Sequence, residues 1–167
     1  MEKIGMPTVH IKHKGVFDLS EILQGIIGGL EKDSFKVHYP KHKYKVPSPK
    51  GGEHEIKIYG ERKINEYVKF RIDFFIRVFD FKEVEMLKEG KKVMMNTGRI
   101  AVEISGSMTL DFENRFGGNK SLQALQDFYH KHIIHRDIGD VWEDDLMLKI
   151  VNLGKLIREK CQQEALT

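Results

Sequence analysis

Residues 67–79 read YVKFRIDFFIRVF, and the alternation of their side chains decides the fold class. Every even position from 68 to 78 is apolar, whereas lysine, arginine or aspartate occupies most odd positions. A period of two is typical of a strand that buries one face and exposes the other. Phe75 and Phe79 interrupt the polar face, and their rings could contact a second layer of the structure. The stretch therefore predicts one long, half-buried strand.

The same alternation recurs along the chain, so we expect a sheet. Further strands are predicted at 8–14, at 35–46 with a break at Pro40, around 56–62, and at 93–112. Gly98 and Gly106 mark where a bulge or bend would relieve the last of these strands. Residues 82–92 are charged and predict either a helical turn or the end of a hairpin. The apolar sheet face is predicted to comprise Val68, Phe70, Ile72, Val102, Ile104 and Leu110.

The N-terminal helix is predicted to be broken. Asp18 and Glu21 form a capping-box pattern, and apolar residues follow at helical spacing as far as Leu30. Three glycines between positions 25 and 29 interrupt this run, and each costs about 1 kcal/mol relative to alanine within a helix. We therefore expect two short helices between Asp18 and Leu30.

Two further helices are predicted near the C-terminus. Ser121 is the expected cap of the first, 121–135, and Asp140 the expected cap of the second, 141–163. Apolar residues of the second recur every three or four positions, which is typical of a helix with one core-facing stripe. That stripe comprises Trp142, Leu146, Ile150, Leu153, Ile157 and Cys161.

The order of these elements is a strand, a broken helix, several long antiparallel strands and C-terminal helices. In this order the chain resembles the helix-grip fold of the START-like ligand-binding superfamily. The resemblance covers most of the chain and implies an α+β fold, in which a curved antiparallel sheet of about five to seven strands packs against a long C-terminal helix. It also implies an apolar cavity between sheet and helix. The helix predicted at 121–135 departs from that pattern.

A second resemblance concerns the stretch GRIAVEISGSMTLDFENRFGG, residues 98–118. This stretch is similar to archaeal proteins that have no assigned function. The similarity therefore implies no activity, substrate or partner, and any functional prediction has to come from the residues themselves.

Composition limits the class of protein. The 167 residues fit one domain, 1–167, and a content of 40% hydrophobic and 32% charged residues is ordinary for a globular protein. The formal net charge of +3 makes a nucleic-acid partner an unfavoured prediction. The single cysteine, Cys161, excludes an internal disulfide and fits a reducing compartment. Since no run of 18 apolar residues and no apolar N-terminal segment is present, we expect a cytoplasmic protein without membrane insertion.

Residues 129–137, YHKHIIHRD, form the most site-like stretch. A kinase catalytic loop is excluded, because Trp142 stands where such a loop needs an asparagine. A metal site would use His132 and His135, which share a helix face, together with Asp137. The favoured interpretation is a helix C-terminus, where histidines interact with the negative end of the dipole. It predicts a buried Ile133, a partly buried His132, exposed His130 and Lys131, and a turn at Asp137–Asp140.

The segment 36–45, KVHYPKHKYK, interleaves lysine and histidine with tyrosine. Single-stranded nucleic-acid platforms share this pattern, and lipid headgroups would also favour it. Lysines on an exposed strand equally prevent edge-to-edge pairing of sheets. Edge protection is the favoured interpretation, and an anionic partner is the alternative.

The favoured function is non-enzymatic binding of an apolar or amphipathic, lipid-like small molecule between the sheet and the C-terminal helix. Methionine and phenylalanine are adaptable liners of such a cavity, although they fill a solid core equally well. The alternative is a protein-interaction or self-assembly module that forms homo-oligomers through its strand edges. No catalytic residue, metal site or cofactor is predicted. The predicted cavity-lining residues are Phe70, Phe74, Met95, Met108, Leu146 and Ile150.

Overall fold

The computed structural model describes residues 1–115, 118–134 and 138–165. Six strands form one curved antiparallel sheet, and three α-helices complete the structure of the described ranges, so the predicted α+β class is confirmed. The strands are β1 Glu2–Gly5, β2 Val9–Phe17, β3 Lys36–Ser48, β4 Gly51–Lys63, β5 Val68–Lys88 and β6 Lys91–Leu110.

Strands β3 to β6 follow one another across the sheet, each paired with its sequence neighbour. Both β1 and β2 pair with β6, so the N-terminal strands lie at the opposite edge from β3. The long strand predicted at 67–79 is part of β5 and lies in the middle. Residues 82–92 form the end of the β5–β6 hairpin, which confirms one of the two predicted alternatives.

Helix α1, Leu19–Lys32, is continuous, so the predicted break is wrong. Asp18 is the N-cap as expected, with its side chain accepting a hydrogen bond from the Glu21 amide at 3.1 Å. A Cβ at Gly29 would lie 2.7 Å from Leu153 Cδ2, so this glycine permits close approach of the C-terminal helix. The packing gained by that approach outweighs the low helix propensity of glycine.

The two C-terminal helices begin at residues other than those predicted. Helix α2, Lys120–Tyr129, is capped by Asn119, whose side chain accepts from the Leu122 amide at 2.8 Å, and not by Ser121. A π-helical turn, His130–Ile134, follows it. Another π-helical turn, Ile138–Glu143, precedes α3, Asp144–Ala165, so the predicted cap at Asp140 is wrong. The turn predicted at Asp137–Asp140 begins at a residue outside the described ranges.

The core lies between the inner face of the sheet and helices α1 and α3. All six residues predicted for the apolar sheet face are buried, as are Leu146, Ile150, Leu153, Ile157 and Cys161 of the helical stripe. Trp142 is only partly buried against the core, which corrects the expectation for that residue. Gly106 has no role in a bulge: a Cβ there would overlap Ile150 Cδ1, so it brings α3 onto the sheet.

A bulge divides the β5–β6 hairpin, as predicted at Gly98. The strand register shifts between Phe79 and Lys82 on β5, opposite Gly98. Gly98 has a φ of +151°, and a Cβ would lie 2.6 Å from the Phe79 carbonyl oxygen, so no other residue fits without strain. Beyond the bulge, β2 pairs with β6 as far as Phe17 with Asn96. Past that pair, the strand pairs that the structure describes are those between β5 and β6 alone, which leaves a two-stranded tip.

None of the helices in the described ranges combines the length and the apolar content needed to cross a membrane.

Candidate ligand-binding site

Five of the six predicted cavity-lining residues lie in the core between sheet and helices. Phe70, Phe74, Met108, Leu146 and Ile150 each expose at most 1% of their surface. Sheet and α3 are therefore in direct contact at these side chains, packed at the density usual for a protein interior.

The sixth predicted residue, Met95, lies elsewhere. It is 5% exposed but does not belong to the main core cluster. Strand alternation places it on the same face as Arg99 and Ala101, opposite to the face of Ile100 and Val102. The structure thus separates Met95 from the other five residues, because only residues an even number of positions apart on a strand lie on the same face of the sheet.

A cavity of about 580 Å³ lies where the inner face of the sheet extends past the N-terminus of α1. Apolar side chains from α1 and β5 form one part of its wall, and Tyr44 of β3 with two histidines forms another. The backbone amide of Leu19 donates to Asn96 Oδ1 at 2.9 Å, which fixes the start of α1 against β6. The lining residues that bear on ligand binding are Leu19, Leu23, His42, Tyr44, His54 and Phe81.

The two histidines of this cavity form a hydrogen-bonded pair across β3 and β4. His42 Nε2 lies 2.9 Å from His54 Nδ1, so one nitrogen donates and the other accepts. The Tyr39 hydroxyl lies 3.1 Å from His42 Nδ1 and occupies the other side of that ring. The His54 ring packs between Tyr44, at 4.5 Å between centroids, and Phe81, at 4.4 Å. These contacts fix the orientation of both imidazoles.

His54 Nε2 is buried and has no hydrogen-bond partner among the described residues. Burial, and secondarily the nearby His42, lowers the pKa of His54 below its ordinary value. The neutral ring is therefore favoured, and its Nε2 is an uncompensated buried nitrogen of a residue that lines the cavity together with both apolar and polar side chains. A buried polar atom without a partner is costly, which makes it a ready binding point for a ligand group.

This pair was not predicted from the sequence. Its histidines lie twelve positions apart; His42 was interpreted as part of a basic edge, and His54 precedes the strand predicted around 56–62. The available signal was the proline- and glycine-rich stretch 46–52, VPSPKGG: strands joined by a short hairpin place residues equidistant from the turn opposite each other. Tyr44 does pair with His54, and His42 lies diagonally beside it.

The two described histidines of YHKHIIHRD, His130 and His132, form separate contacts and not a hydrogen-bonded pair. His132 is exposed and contacts the Phe128 ring, with 4.9 Å between centroids, so the prediction of partial burial is wrong. His130 is half-buried, with Nδ1 3.1 Å from a Glu2 carboxylate oxygen, and does not face water as expected. Lys131 is exposed, as predicted. The predictions for the side chain of Ile133, for His135 and for Asp137 lie outside the described residues.

Possible metal ligands and the cysteine give no further site. Within the described ranges, no three histidine, cysteine, aspartate or glutamate side chains are grouped closely enough to hold a metal ion. Cys161 is buried as predicted, and burial raises the pKa of its thiol to about 11, so it is a poor nucleophile at neutral pH.

A second groove, of about 600 Å³, lies on the solvent-facing side of the sheet. Charged side chains on its floor already pair with each other: Arg71 donates to Asp73 at 2.8 Å and lies 3.6 Å from a Glu61 oxygen. The cavity beside α1 is slightly smaller and its lining includes Lys82 and Glu83, but one of its lining residues, His54, has a buried nitrogen without a partner in the described ranges. We therefore assign the candidate small-molecule site to the cavity beside α1.

Comparison with known proteins gives no family. No family model matches the chain, and no curated protein matches it either. Among solved structures, the chain is similar to the di-domain ARO/CYC BexL from the BE-7585A biosynthetic pathway. The identity is 7%, the TM-score is 0.27, and the match covers 95% of this chain and 50% of that one. The chain thus spans half the length of that protein, and a likeness of this degree carries no argument about function.

Proposed function

We propose that this protein binds an amphipathic small molecule, without catalysis, in the cavity beside the N-terminus of α1. The observation that carries the proposal is His54 Nε2, a buried nitrogen without a partner among the described residues, at the wall of a cavity of about 580 Å³. Cavities of roughly 300–1,000 Å³ with apolar walls and few polar groups are typical of small-molecule sites.

The lining suggests how such a ligand would lie. Its apolar body would contact Leu19, Leu23 and Phe81, which supply the hydrophobic part of the wall. Its polar group would reach His54 Nε2, while the hydrogen bond from His42 keeps the His54 ring in place. One directed polar contact within an apolar site gives the ligand a single orientation.

A ligand directly beneath α3, as predicted from the sequence, requires a further step. Phe74 and Ile150 are within the packed core, so α3 would have to move away from the sheet before a ligand could contact them. We also propose this deeper location between the sheet and α3 as a binding position, which a ligand would enter through the cavity beside α1.

The experiment is a titration of purified protein with the amphipathic anion 8-anilinonaphthalene-1-sulfonate, with native mass spectrometry of the same sample for any retained molecule. We expect saturable binding at one site. His54→Phe keeps an aromatic ring but removes the nitrogen, so binding should weaken by roughly 5- to 150-fold, the effect of one lost buried hydrogen bond. Leu23→Arg should also weaken it, by placing a charge in the apolar wall.

Leu148→Arg is the matched control, because Leu148 is an exposed leucine on the outer side of α3. This variant should bind the probe as the unaltered protein does. Equal affinity in all three variants, or no binding together with no retained molecule, would contradict the proposed function.

A second candidate function, self-association, is favoured by the two-stranded tip of the β5–β6 hairpin. Leu87 is 74% exposed and Met94 60% exposed there. An isolated two-stranded hairpin is marginally stable in water, and its unpaired edges are free to pair with another chain. A second copy of this protein that covers the tip would bury both side chains.

A further inference from the structure

The solvent-facing side of the sheet, here called the outer face, carries a strong excess of positive charge. Strand alternation and the observed registers define its members: every second residue of each strand, in line with Lys69 to Phe79 of β5. Its basic residues are Lys3, Lys12, Lys14, Lys36, Lys41, Lys43, Lys45, Lys57, Lys63, Lys69, Arg71, Arg77 and Arg99. Its acidic residues are Glu53, Glu55, Glu61, Asp73 and Glu103.

This charge is not neutralised within the sheet. Four of the acids pair with neighbouring cations of the same face: Glu55 with Lys41, Glu61 with Lys69 and Arg71, Asp73 with Arg71, and Glu103 with Arg77. Two further cations pair with acids outside this set: Arg99 with Asp80 at 3.0 Å, and Lys63 with Glu113 at 3.8 Å. The remaining basic residues outnumber the acids that are left. The exposed cations without an ion-pair partner in the described ranges include Lys12, Lys14, Lys43 and Lys45.

Aromatic rings lie among these cations. The Arg71 guanidinium stacks over the Tyr59 ring, 3.9 Å from its centroid. Lys57 and Arg77 lie 5.4 and 5.2 Å from the centroid of Phe75. Arg99 lies 5.4 Å from that of Phe79. The three rings are half-buried, so each keeps part of its surface open to solvent.

Shallow grooves connect the rings with the cations. The groove of about 600 Å³ contains Tyr59 and Phe75. A second, of about 380 Å³, brings Phe79 together with Lys12, Lys14 and Arg99. A third, of about 120 Å³, places Phe79 beside Lys43, Lys45 and Arg77. Since Phe75 and Phe79 are four residues apart on one strand, their spacing of about 14 Å lets two bases of one strand be stacked in succession.

We infer that the outer face binds single-stranded nucleic acid. Its lysines and arginines neutralise phosphates, and Phe75 and Phe79 stack on unpaired bases, whereas the Tyr59 ring is already stacked by His38 and Arg71. A single strand is required, because the bases of a duplex are stacked on each other and cannot reach rings in the floor of a sheet. An anionic membrane fits less well: the apolar groups of this face are half-buried between charges, so nothing projects into a bilayer.

The experiment is fluorescence polarisation with 5′-labelled twenty-nucleotide oligo(dT) and oligo(U) at a series of salt concentrations. Phe75→Ala with Phe79→Ala should weaken binding by about 5- to 150-fold for each stacked base. Lys12→Gln with Lys14→Gln should weaken it at low salt and reduce the slope of log K against log salt by about 1.4, the value for two phosphate contacts to a single strand.

The control variants change the same residue types elsewhere. Phe128→Ala alters an exposed phenylalanine of α2, and Lys155→Gln an exposed lysine of α3. Neither should change affinity or slope. Phe75→Leu with Phe79→Leu preserves apolar burial without a stacking surface, so it reports on base stacking even if the alanine variants fail to fold.

Three results would overturn the inference. The first is binding of a duplex of the same length with equal or higher affinity. The second is unchanged affinity in folded variants that lack the Phe75 and Phe79 rings, which would leave only attraction between opposite charges. The third is binding to vesicles containing phosphatidylserine with no binding to either oligonucleotide, which would assign the outer face to a membrane surface.

Discussion

His42 and His54 share a hydrogen bond across two neighbouring strands, with 2.9 Å between Nε2 of the first and Nδ1 of the second. Burial lowers the pKa of His54, and the nearby His42 lowers it further. The protonation state of His54 therefore influences stability as well as ligand binding.

The first prediction is a pH dependence of unfolding. Because the pKa of His54 is lower in the folded than in the unfolded chain, its stabilising contribution is present above pH 6.5, the ordinary value, and is lost as pH falls through the folded value. The Tm should therefore fall between pH 7.5 and pH 5, and it should fall less in His54→Phe. Differential scanning fluorimetry measures both. The exposed His132, replaced by glutamine, should leave the decrease unchanged; an equal decrease in His54→Phe would exclude the pair as its source.

The second prediction concerns the contact between sheet and α3. Gly106→Ala places a methyl group against Ile150 Cδ1, and overpacking of this kind costs about 1–3 kcal/mol. Ile150→Val removes that Cδ1 and costs about 0.5–1.5 kcal/mol alone. The double variant should lose less stability than the two single losses combined, since the valine makes room for the methyl group. Urea denaturation of the unaltered protein, the two single variants and the double variant measures the four free energies of unfolding. If the loss in the double variant equals the sum of the two single losses, the two residues do not interact.

The third prediction compares two glycines in different environments. Gly98→Ala should destabilise the protein by about 1–3 kcal/mol, because its backbone conformation and the nearby Phe79 carbonyl both exclude a Cβ. Gly28→Ala should stabilise it by up to about 1 kcal/mol, since that helical position has no atom within 4 Å of the added Cβ. Urea midpoints measure both effects. A stabilising Gly98→Ala would refute the bulge geometry.

The fourth prediction addresses the tip of the β5–β6 hairpin. If a second copy covers Leu87 and Met94, the purified protein should have twice the monomer mass in light scattering at micromolar concentration. Leu87→Lys with Met94→Lys should restore the monomer mass, because two charges oppose burial of the tip. Leu125→Lys, at an exposed leucine on α2, is the matched control and should not change the mass. A monomer before substitution would rule out self-association through this tip.

Periodicity predicted the sheet and the terminal helix because burial itself creates the pattern. The alternation in 67–79 and the helical stripe from Leu146 to Ile157 both require one buried face, and the structure buries both. The continuity of α1 could not be predicted in this way. It depends on Leu153 of another helix filling the space left by Gly29, a contact between residues far apart in sequence.

The candidate site was harder to predict than the fold, again for a physical reason. Five of the proposed liners are buried in one interior, but sequence does not distinguish a cavity wall from a packed core, so their role in lining a cavity stays a prediction. His54 acquires its properties from the rings of Tyr44 and Phe81 and from His42. Similarly, the basic segment 36–45 was recognisable in the sequence, but the strand pairing that places its lysines on one sheet face with those of β2 was not.

The pairing of both N-terminal strands with β6 has a consequence for the order of folding. Strands β3 to β6 pair with sequence neighbours, so each hairpin can form soon after its residues leave the ribosome. Val9 pairs with Ile104, and α1 packs against α3, so β2 and one side of α1 obtain these partners only after β6 and α3 have been synthesised. Until then the apolar side of α1 is exposed, which makes the N-terminal segment the part of the nascent chain most exposed to chaperones and to aggregation.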